Sequence, residues 1–240
     1  MKKFVQLISK SIFIWLIFFS QLIVAQINIM PGPGVTAIDM VENIVGEGII
    51  YDNVTFTGAN ASRGIFNNGQ STNLGIASGI FLTSGAGYVI PGPNTSTSAG
   101  ANNGTPGDPT LNSITTSTTY DAAVLQFDFI PESDTLRFKY VFGSEEYNEW
   151  VGSSFNDVFG YFVTGPNPMG GQYSNKNIAL VPGTNTSVKI NSINNGYSPG
   201  GVVPTGPCMN CQYYDDNTGG LTLEYDGFTV VLVAFLVVVP

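Results

Sequence analysis

The chain has 240 residues, of which 8 are Lys or Arg, 17 are Asp or Glu and none is His. The net charge of −9 argues against nucleic acid and anionic membrane surfaces as partners, because both require a basic footprint. The absence of histidine excludes Ser-His-Asp and Cys-His catalysis and HExxH zinc sites.

Residues 1–25 have the pattern of a secretory signal peptide. Lys2 and Lys3 give a positive start, a mostly apolar run covers residues 12–24, and Ala25 is a small residue at a suitable cleavage point. An uncleaved N-terminal anchor is the alternative, although the run is short for a spanning helix. Cleavage would remove three basic residues and no acidic one, which leaves five against 17 and a net charge of −12. We therefore expect a secreted or outer-surface protein without a stable membrane span.

The first half of the exported chain predicts short strands between turns. Residues 39–45 have apolar positions at helical spacing and predict one short helix. Apolar residues on both sides of residues 51–53 predict strands around a turn, and residues 75–82 predict a turn followed by a buried strand. A long polar loop covers residues 84–112, and such loops in compact domains are commonly functional or mobile.

The middle of the chain predicts three stronger strands. Residues 120–130 and 136–142 alternate apolar and polar side chains, which is the pattern of strands with one buried face. Their short connection at residues 131–134 predicts an antiparallel hairpin. Residues 158–163 are apolar almost throughout, which predicts a strand buried on both sides.

The last third predicts four more short strands. Residues 178–181 and 188–193 are joined by a turn, and residues 221–225 and 228–233 flank Asp226-Gly227, a strong signal for a two-residue hairpin. Many short strands, Gly- and Pro-rich turns and almost no helical periodicity predict an all-β fold. We expect a β-sandwich or jelly-roll-like single domain.

A dense acidic turn lies between residues 143 and 158. Like charges repel and raise one another's pKa, so such a group needs a partner, and this chain offers few Lys or Arg. The turn is therefore the place where the sequence indicates site chemistry. Its acidic and amide residues are Glu145, Glu146, Asn148, Glu149, Asn156 and Asp157.

Three interpretations of the acidic turn stay open. Its carboxylates are solvated loop residues, or they bind Ca²⁺, or two of them perform glycoside hydrolysis. Adjacent Glu145 and Glu146 point to opposite faces of a strand, so the hydrolase interpretation uses Glu146 and Asp157. The predicted metal ligands are Glu145, Glu146, Asn156 and Asp157, with Asp108 and Asp121 as more distant contributors.

Cys208 and Cys211 are the two cysteines of the chain. Zinc would need two further Cys or His ligands, and a thioredoxin-like site would need a strand-to-helix junction in place of this Gly/Pro/Asn loop. In an oxidising compartment the pair predicts a local disulfide. It would fasten the loop that carries Asp215 and Asp216, which are either turn residues or a second cation-binding spot.

Several motifs occur in the order of one known family. They are NLGIASGIFLTSG, GDPTLNSI, YDAAVLQFDFIP, FKYVFGSEEYNEW, FNDVFGYFVTGP, NIALVPGT and PCMNCQYYDDN, and they cover about residues 30–230. The combination resembles the choice-of-anchor L domain, a family of exported bacterial surface proteins. The resemblance implies surface display in a Bacteroidota-like organism, with type IX secretion as the route. It implies no catalytic mechanism.

The end of the sequence departs from this family pattern. Domains of the family continue into further strands, whereas this chain stops in an apolar run at residues 230–239. We expect residues 26–240 to form a choice-of-anchor L-like domain that is incomplete at its C terminus and exposes an aggregation-prone edge.

Two function classes follow from the sequence. The first is a non-enzymatic surface module for adhesion or interaction, with a glycan or protein ligand and stabilisation by Ca²⁺. The second is an extracellular carbohydrate-active hydrolase that uses carboxylates of the acidic turn. The missing histidine and the family resemblance favour the first. The aromatic residues that would stack on sugars, if exposed, are Tyr147, Trp150, Tyr213 and Tyr214.

Overall fold

The computed structural model describes residues 26–196 and 205–240. The predicted signal peptide lies outside the described residues. The described part of the chain is all-β, as predicted, and its two α-helices are α1 (Ala37–Ile44) and α2 (Pro109–Asn112). Neither helix is long or apolar enough to span a membrane.

Twelve short strands form the regular structure of these residues. In chain order they are β1 (Asn28–Pro31), β2 (Ile50–Thr57), β3 (Arg63–Asn67), β4 (Gly79–Leu82), β5 (Val124–Ile130), β6 (Thr135–Tyr140), β7 (Gly143–Ser144), β8 (Phe162–Pro166), β9 (Gln172–Asn177), β10 (Tyr214–Asp216), β11 (Gly227–Thr229) and β12 (Leu232–Val237). All pairings are antiparallel, and the sheet orders are β1-β3-β4, β10-β11-β7, β12-β6, β2-β5 and β8-β9. Several pairs join strands that are far apart in sequence, so the ends of distant segments meet.

Local sequence patterns are confirmed where they describe a single element. The helix predicted at residues 39–45 corresponds to α1, whose first turn is closed by a capping box between Thr36 and Asp39. The strand predicted at residues 75–82 corresponds to β4. The alternation predicted at residues 136–142 is present in β6.

The predicted hairpin between residues 120–130 and 136–142 is wrong. Strand β5 pairs with β2, and β6 pairs with β12 along its whole length. The reason is the side-chain alternation of β12, in which Leu232, Ala234 and Leu236 are buried. This face packs into the core beside Leu136 of β6. A short connection favours a hairpin between its two strands, but a pairing with a distant strand replaces the hairpin when it buries more apolar surface.

The predicted hairpin at Asp226-Gly227 is also wrong. Gly227 is the first residue of β11, which pairs with β10 on one side and with β7 on the other. A Cβ atom on Gly227 would collide with the ring and hydroxyl of Tyr214. The glycine therefore permits close packing against Tyr214 and forms no turn.

The predicted turn at residues 51–53 is a local irregularity inside β2. Asn53 adopts a positive φ of 53°, and the pairing with β5 shifts between Asp52 and Thr55. The Asn53 amide donates to Asp128 Oδ2 of β5 at 2.7 Å, so the two strands remain connected across the irregularity.

The predicted strands around the second half of the acidic turn are shorter than expected. Residues 158–161 form one isolated bridge before β8 begins, and they are half-buried instead of enclosed on both sides. In place of the strands predicted at residues 178–181 and 188–193, Leu180 forms an isolated bridge with Ser187, Lys189 forms one with Val158, and a 3₁₀ turn follows at Ile190–Ser192. The side-chain oxygen of Asn177 accepts from the backbone N–H groups of Tyr161 and Ala179, each at 3.0 Å, and takes the place of a regular ladder.

The largest core cluster lies beside the acidic turn. Tyr147 and Val151 of the turn are buried in it and fasten the turn to the rest of the fold. Burial of apolar side chains is the main favourable contribution to folding, so the turn is fixed by the core on its inner side. The other buried members of the cluster are Phe142, Val181, Val188, Ile190, Ile193, Tyr214 and Leu232.

Candidate functional site

Two tyrosines hold the acidic turn in place. The Tyr147 hydroxyl donates to the Ile193 carbonyl at 2.7 Å, and the Tyr214 hydroxyl donates to Asn148 Oδ1 at 3.0 Å. The two rings lie 4.9 Å apart, centroid to centroid. Both tyrosines are buried, so the structure assigns them to the core and not to sugar stacking.

Glu145 and Glu146 follow β7 in a turn, and their carboxylates have different partners: Glu145 accepts from the Ala99 N–H and Glu146 from the Asp157 N–H. Glu146 faces Asp157, and this pair contacts Ser144: the serine hydroxyl donates to Asp157 Oδ2 at 2.7 Å and accepts from the Glu146 N–H at 3.0 Å. Burial, and then the charge of Asp157, raise the pKa of Glu146 to about 7. Burial also raises the pKa of Asp157, while its hydrogen bond with Ser144 acts in the opposite direction.

Glu145 joins a second acidic group, which we call the carboxylate quartet: Glu145, Glu149, Glu224 and Asp226. Burial, followed by the charge of Asp226, raises the pKa of Glu145 to about 8, and Glu224 and Glu149 add to this effect. Burial raises the pKa of Asp226 to about 7, and Glu149 and Glu224 contribute again. Glu149 and Glu224 thus act on both Glu145 and Asp226.

Strand pairing explains why the quartet forms. Ser144 of β7 lies opposite Gly227 of β11, so Glu145 and Asp226, the residues next to this pair, meet at the end of the sheet. Local sequence patterns do not indicate Glu224 and Asp226 as site residues, because Asp226-Gly227 has the pattern of a turn. The signal that could have found them is their spacing of two, which places both carboxylates on one face of an extended segment.

The long polar loop at residues 84–112 covers the quartet. The Ala99 N–H donates to Glu145 Oε2 at 3.0 Å, and the Thr95 N–H lies 3.3 Å from both oxygens of Glu224. The Asn94 amide donates to Asp226 Oδ1 at 2.9 Å. The loop therefore supplies neutral hydrogen-bond donors to three of the four carboxylates.

Other oxygens of the quartet have no donor among the described residues. Asp226 is 4% exposed, and its Oδ2 atom is buried without a hydrogen-bond partner. The same holds for Glu145 Oε1 and for both carboxylate oxygens of Glu149. Buried polar atoms are nearly always paired, so these four oxygens call for an explanation.

The other predicted metal ligands have local structural roles. Asn156 Oδ1 accepts from the Asn191 N–H at 3.1 Å, and Asp108 caps the first turn of α2. The Asp121 carboxylate accepts from the N–H groups of Asn103 and Thr105. Across the described residues, no three His, Cys, Asp or Glu side chains already converge as a metal centre, and calcium binding stays a prediction.

An exposed aromatic pair lies at the tip of the acidic turn. The rings of Trp150 and Phe155 meet edge to face with centroids 5.0 Å apart, and 43% and 56% of their surfaces are exposed. Tyr213 is only partly exposed and packs against the largest core cluster. Of the four aromatics considered from the sequence, Trp150 is the one with an exposed side chain.

The predicted disulfide between Cys208 and Cys211 is confirmed. A 3₁₀ turn at Cys211–Tyr213 follows it and leads into β10, which carries Asp215 and Asp216. The charge of Asp216 contributes to the raised pKa of Asp226, so the fastened loop adds one more negative charge beside the quartet.

A family model, the Choice-of-anchor L domain, matches residues 29–240. The match covers most of the chain, which therefore belongs to this family of surface-associated modules. Neither a curated protein nor a solved structure matches the chain. Nothing in the fold or in the family match supports the hydrolase alternative.

Proposed function

We propose that this member of the Choice-of-anchor L domain family is an exported surface module that binds a glycan through Trp150 and Phe155. The exposed aromatic pair is the observation that carries the proposal. Aromatic rings combine a large apolar face with a defined geometry, and the faces of sugar rings can stack on them. The signal-peptide pattern of residues 1–25 supports export.

The loop that carries the pair is held in one shape by hydrogen bonds. The Gly152 N–H donates to Asn191 Oδ1 at 2.5 Å, and the Phe155 N–H donates to Ser153 Oγ at 3.0 Å. The Trp150 N–H donates to the Glu146 carbonyl at 3.1 Å. A binding surface that is ordered in advance loses less conformational entropy when its ligand binds.

Binding to immobilised polysaccharides and a glycan array tests this function. We expect the wild-type chain to bind at least one class of glycan. Trp150→Ala and Phe155→Ala should each weaken this binding by about tenfold, as for other aromatic contacts at binding sites. The matched control is Tyr88→Ala, which removes another exposed aromatic ring.

Equal binding by Trp150→Ala and the wild type would contradict the proposed glycan surface. A reducing-sugar assay on the same samples addresses the alternative function. Release of sugar that disappears in Glu146→Gln and Asp157→Asn would favour the hydrolase instead.

A further inference from the structure

We propose that the carboxylate quartet binds a divalent cation, and that its all-oxygen chemistry selects Ca²⁺. This site differs from the ligand set predicted from the sequence, because it replaces Glu146, Asn156 and Asp157 by Glu149, Glu224 and Asp226. It does not depend on the proposed glycan surface.

The unpartnered oxygens of the quartet are the first support. Asp226 is buried in the protein, yet Asn94 satisfies only one of its two carboxylate oxygens. Both oxygens of Glu149 and one oxygen of Glu145 are likewise buried and unpaired. Burying an ionised carboxylate without a partner is costly, and a bound cation is one of the few partners that relieves it.

The charges around the quartet are the second support. The hydrogen-bond donors that reach Glu145, Glu224 and Asp226 are neutral backbone and amide groups of the polar loop. Three of the five basic side chains in the described residues are stacked on aromatic rings: Arg63 over Phe56, Arg137 over Phe235 and Lys176 over Tyr173. A cation bound from the solvent would therefore compensate the negative charge of the quartet.

The ligand chemistry points to calcium. Ca²⁺ takes about six to eight oxygen ligands in flexible geometry, whereas Mg²⁺ requires a near-ideal octahedron. Four carboxylates from two separate segments, together with water, suit the flexible coordination shell of Ca²⁺. Glu145 and Glu149 have several rotatable side-chain bonds, so their free oxygens can turn towards Asp226 and complete a site whose ligands are not yet convergent.

Calorimetric titration of the purified, chelator-treated chain with CaCl₂ tests the site. We expect one Ca²⁺ per chain, with a dissociation constant of about 10⁻⁴ to 10⁻³ M, and weaker binding of MgCl₂. Asp226→Asn and Glu149→Gln should each weaken binding by at least about tenfold. Glu47→Gln removes the same charge from an exposed position and should leave binding unchanged.

Two further variants keep the test decisive. Glu145→Gln is a second ligand variant at a half-buried position, and circular dichroism checks that each variant is folded. Glu146→Gln separates the two acidic groups and should bind Ca²⁺ as the wild type does. Terbium luminescence, sensitised by nearby Trp150, gives a readout that does not depend on the heat of binding.

Two results would overturn the proposal. One is the absence of saturable binding by calorimetry and by luminescence up to about 10 mM Ca²⁺, well above the usual extracellular range. The other is binding that is lost in Glu146→Gln but kept in folded Asp226→Asn, which would place the ion in the Glu146–Asp157 group.

Discussion

Single hydroxyl groups decide how firmly the acidic turn is held. Tyr147 is completely buried, and its hydroxyl has one partner, the carbonyl of Ile193. The sequence did not show that Tyr147 is buried in the core, because an aromatic residue beside carboxylates is equally compatible with a ligand-binding role. Burial and partner together identify Tyr147 as a structural residue.

We expect Tyr147→Phe to lower the free energy of unfolding by about 1–3 kcal/mol, because it leaves the buried Ile193 carbonyl without a donor. Urea denaturation measures the change. The control is Tyr88→Phe, which alters an exposed tyrosine and should change stability by less than about 0.5 kcal/mol. Equal midpoints for both variants would show that the Tyr147 hydrogen bond contributes nothing measurable.

At the scale of elements, the sequence predicted strands better than their partners. The helix α1 and the strands β4 and β6 follow from local periodicity, because their patterns concern one segment only. Both predicted hairpins are wrong for the same physical reason. A turn signal describes four residues, whereas β6 and β11 pair with distant strands that bury more surface.

The close contact of β11 with Tyr214 gives a test at this scale. We expect Gly227→Ala to destabilise the fold by about 1–3 kcal/mol, since the added methyl group must displace the Tyr214 ring. Thermal unfolding followed by circular dichroism measures the effect. If Gly227 were merely a turn glycine on the surface, the loss would be much smaller.

Gly46→Ala is the matched control. A Cβ atom at Gly46 meets nothing within 4 Å, and its φ is not in the left-handed region. This substitution should change the free energy of unfolding by less than about 0.5 kcal/mol, as surface substitutions usually do. A similar loss in both variants would contradict the packing explanation for Gly227.

The candidate site was predicted in part. Composition identified the acidic turn, whereas the different partners of Glu145 and Glu146 arise in a turn after β7 and not from strand alternation. The sequence did not identify Glu224 and Asp226, because they reach the turn only through the pairing of β7 with β11. A site that is assembled by long-range strand pairing is invisible to local patterns.

The whole molecule carries a large excess of negative charge, and part of it is buried in the carboxylate quartet. The raised pKa values of Glu145, about 8, and Asp226, about 7, mean that the folded chain holds protons that the unfolded chain has already lost. Glu146 adds to this behaviour with a pKa of about 7. The free energy of unfolding should therefore decrease as pH rises through the interval between the ordinary carboxyl pKa and about 8.

We expect Ca²⁺ bound at the proposed site to oppose this dependence, because it would compensate the ionised carboxylates of the quartet, with Asp216 beside them. Below the ordinary carboxyl pKa, Glu145 and Asp226 are protonated in the folded and in the unfolded state, and the ion gains little from them. Towards pH 8 we expect the ion to favour the ionised forms of Glu145 and Asp226, because a metal ligand must be deprotonated. The stabilisation follows RT ln(1 + [L]/Kd), or about 2.7 kcal/mol at 100 times Kd.

The most direct measurement is the melting temperature between about pH 5 and pH 8, in chelator and in millimolar Ca²⁺, for the wild type and for Glu145→Gln. We predict that the wild type in chelator becomes less stable as pH rises and that Ca²⁺ abolishes this loss. Glu145→Gln should melt above the wild type in chelator at pH 8, yet gain less from Ca²⁺. Wild-type melting curves that are parallel in chelator and in calcium across this range would contradict a cation-binding carboxylate quartet.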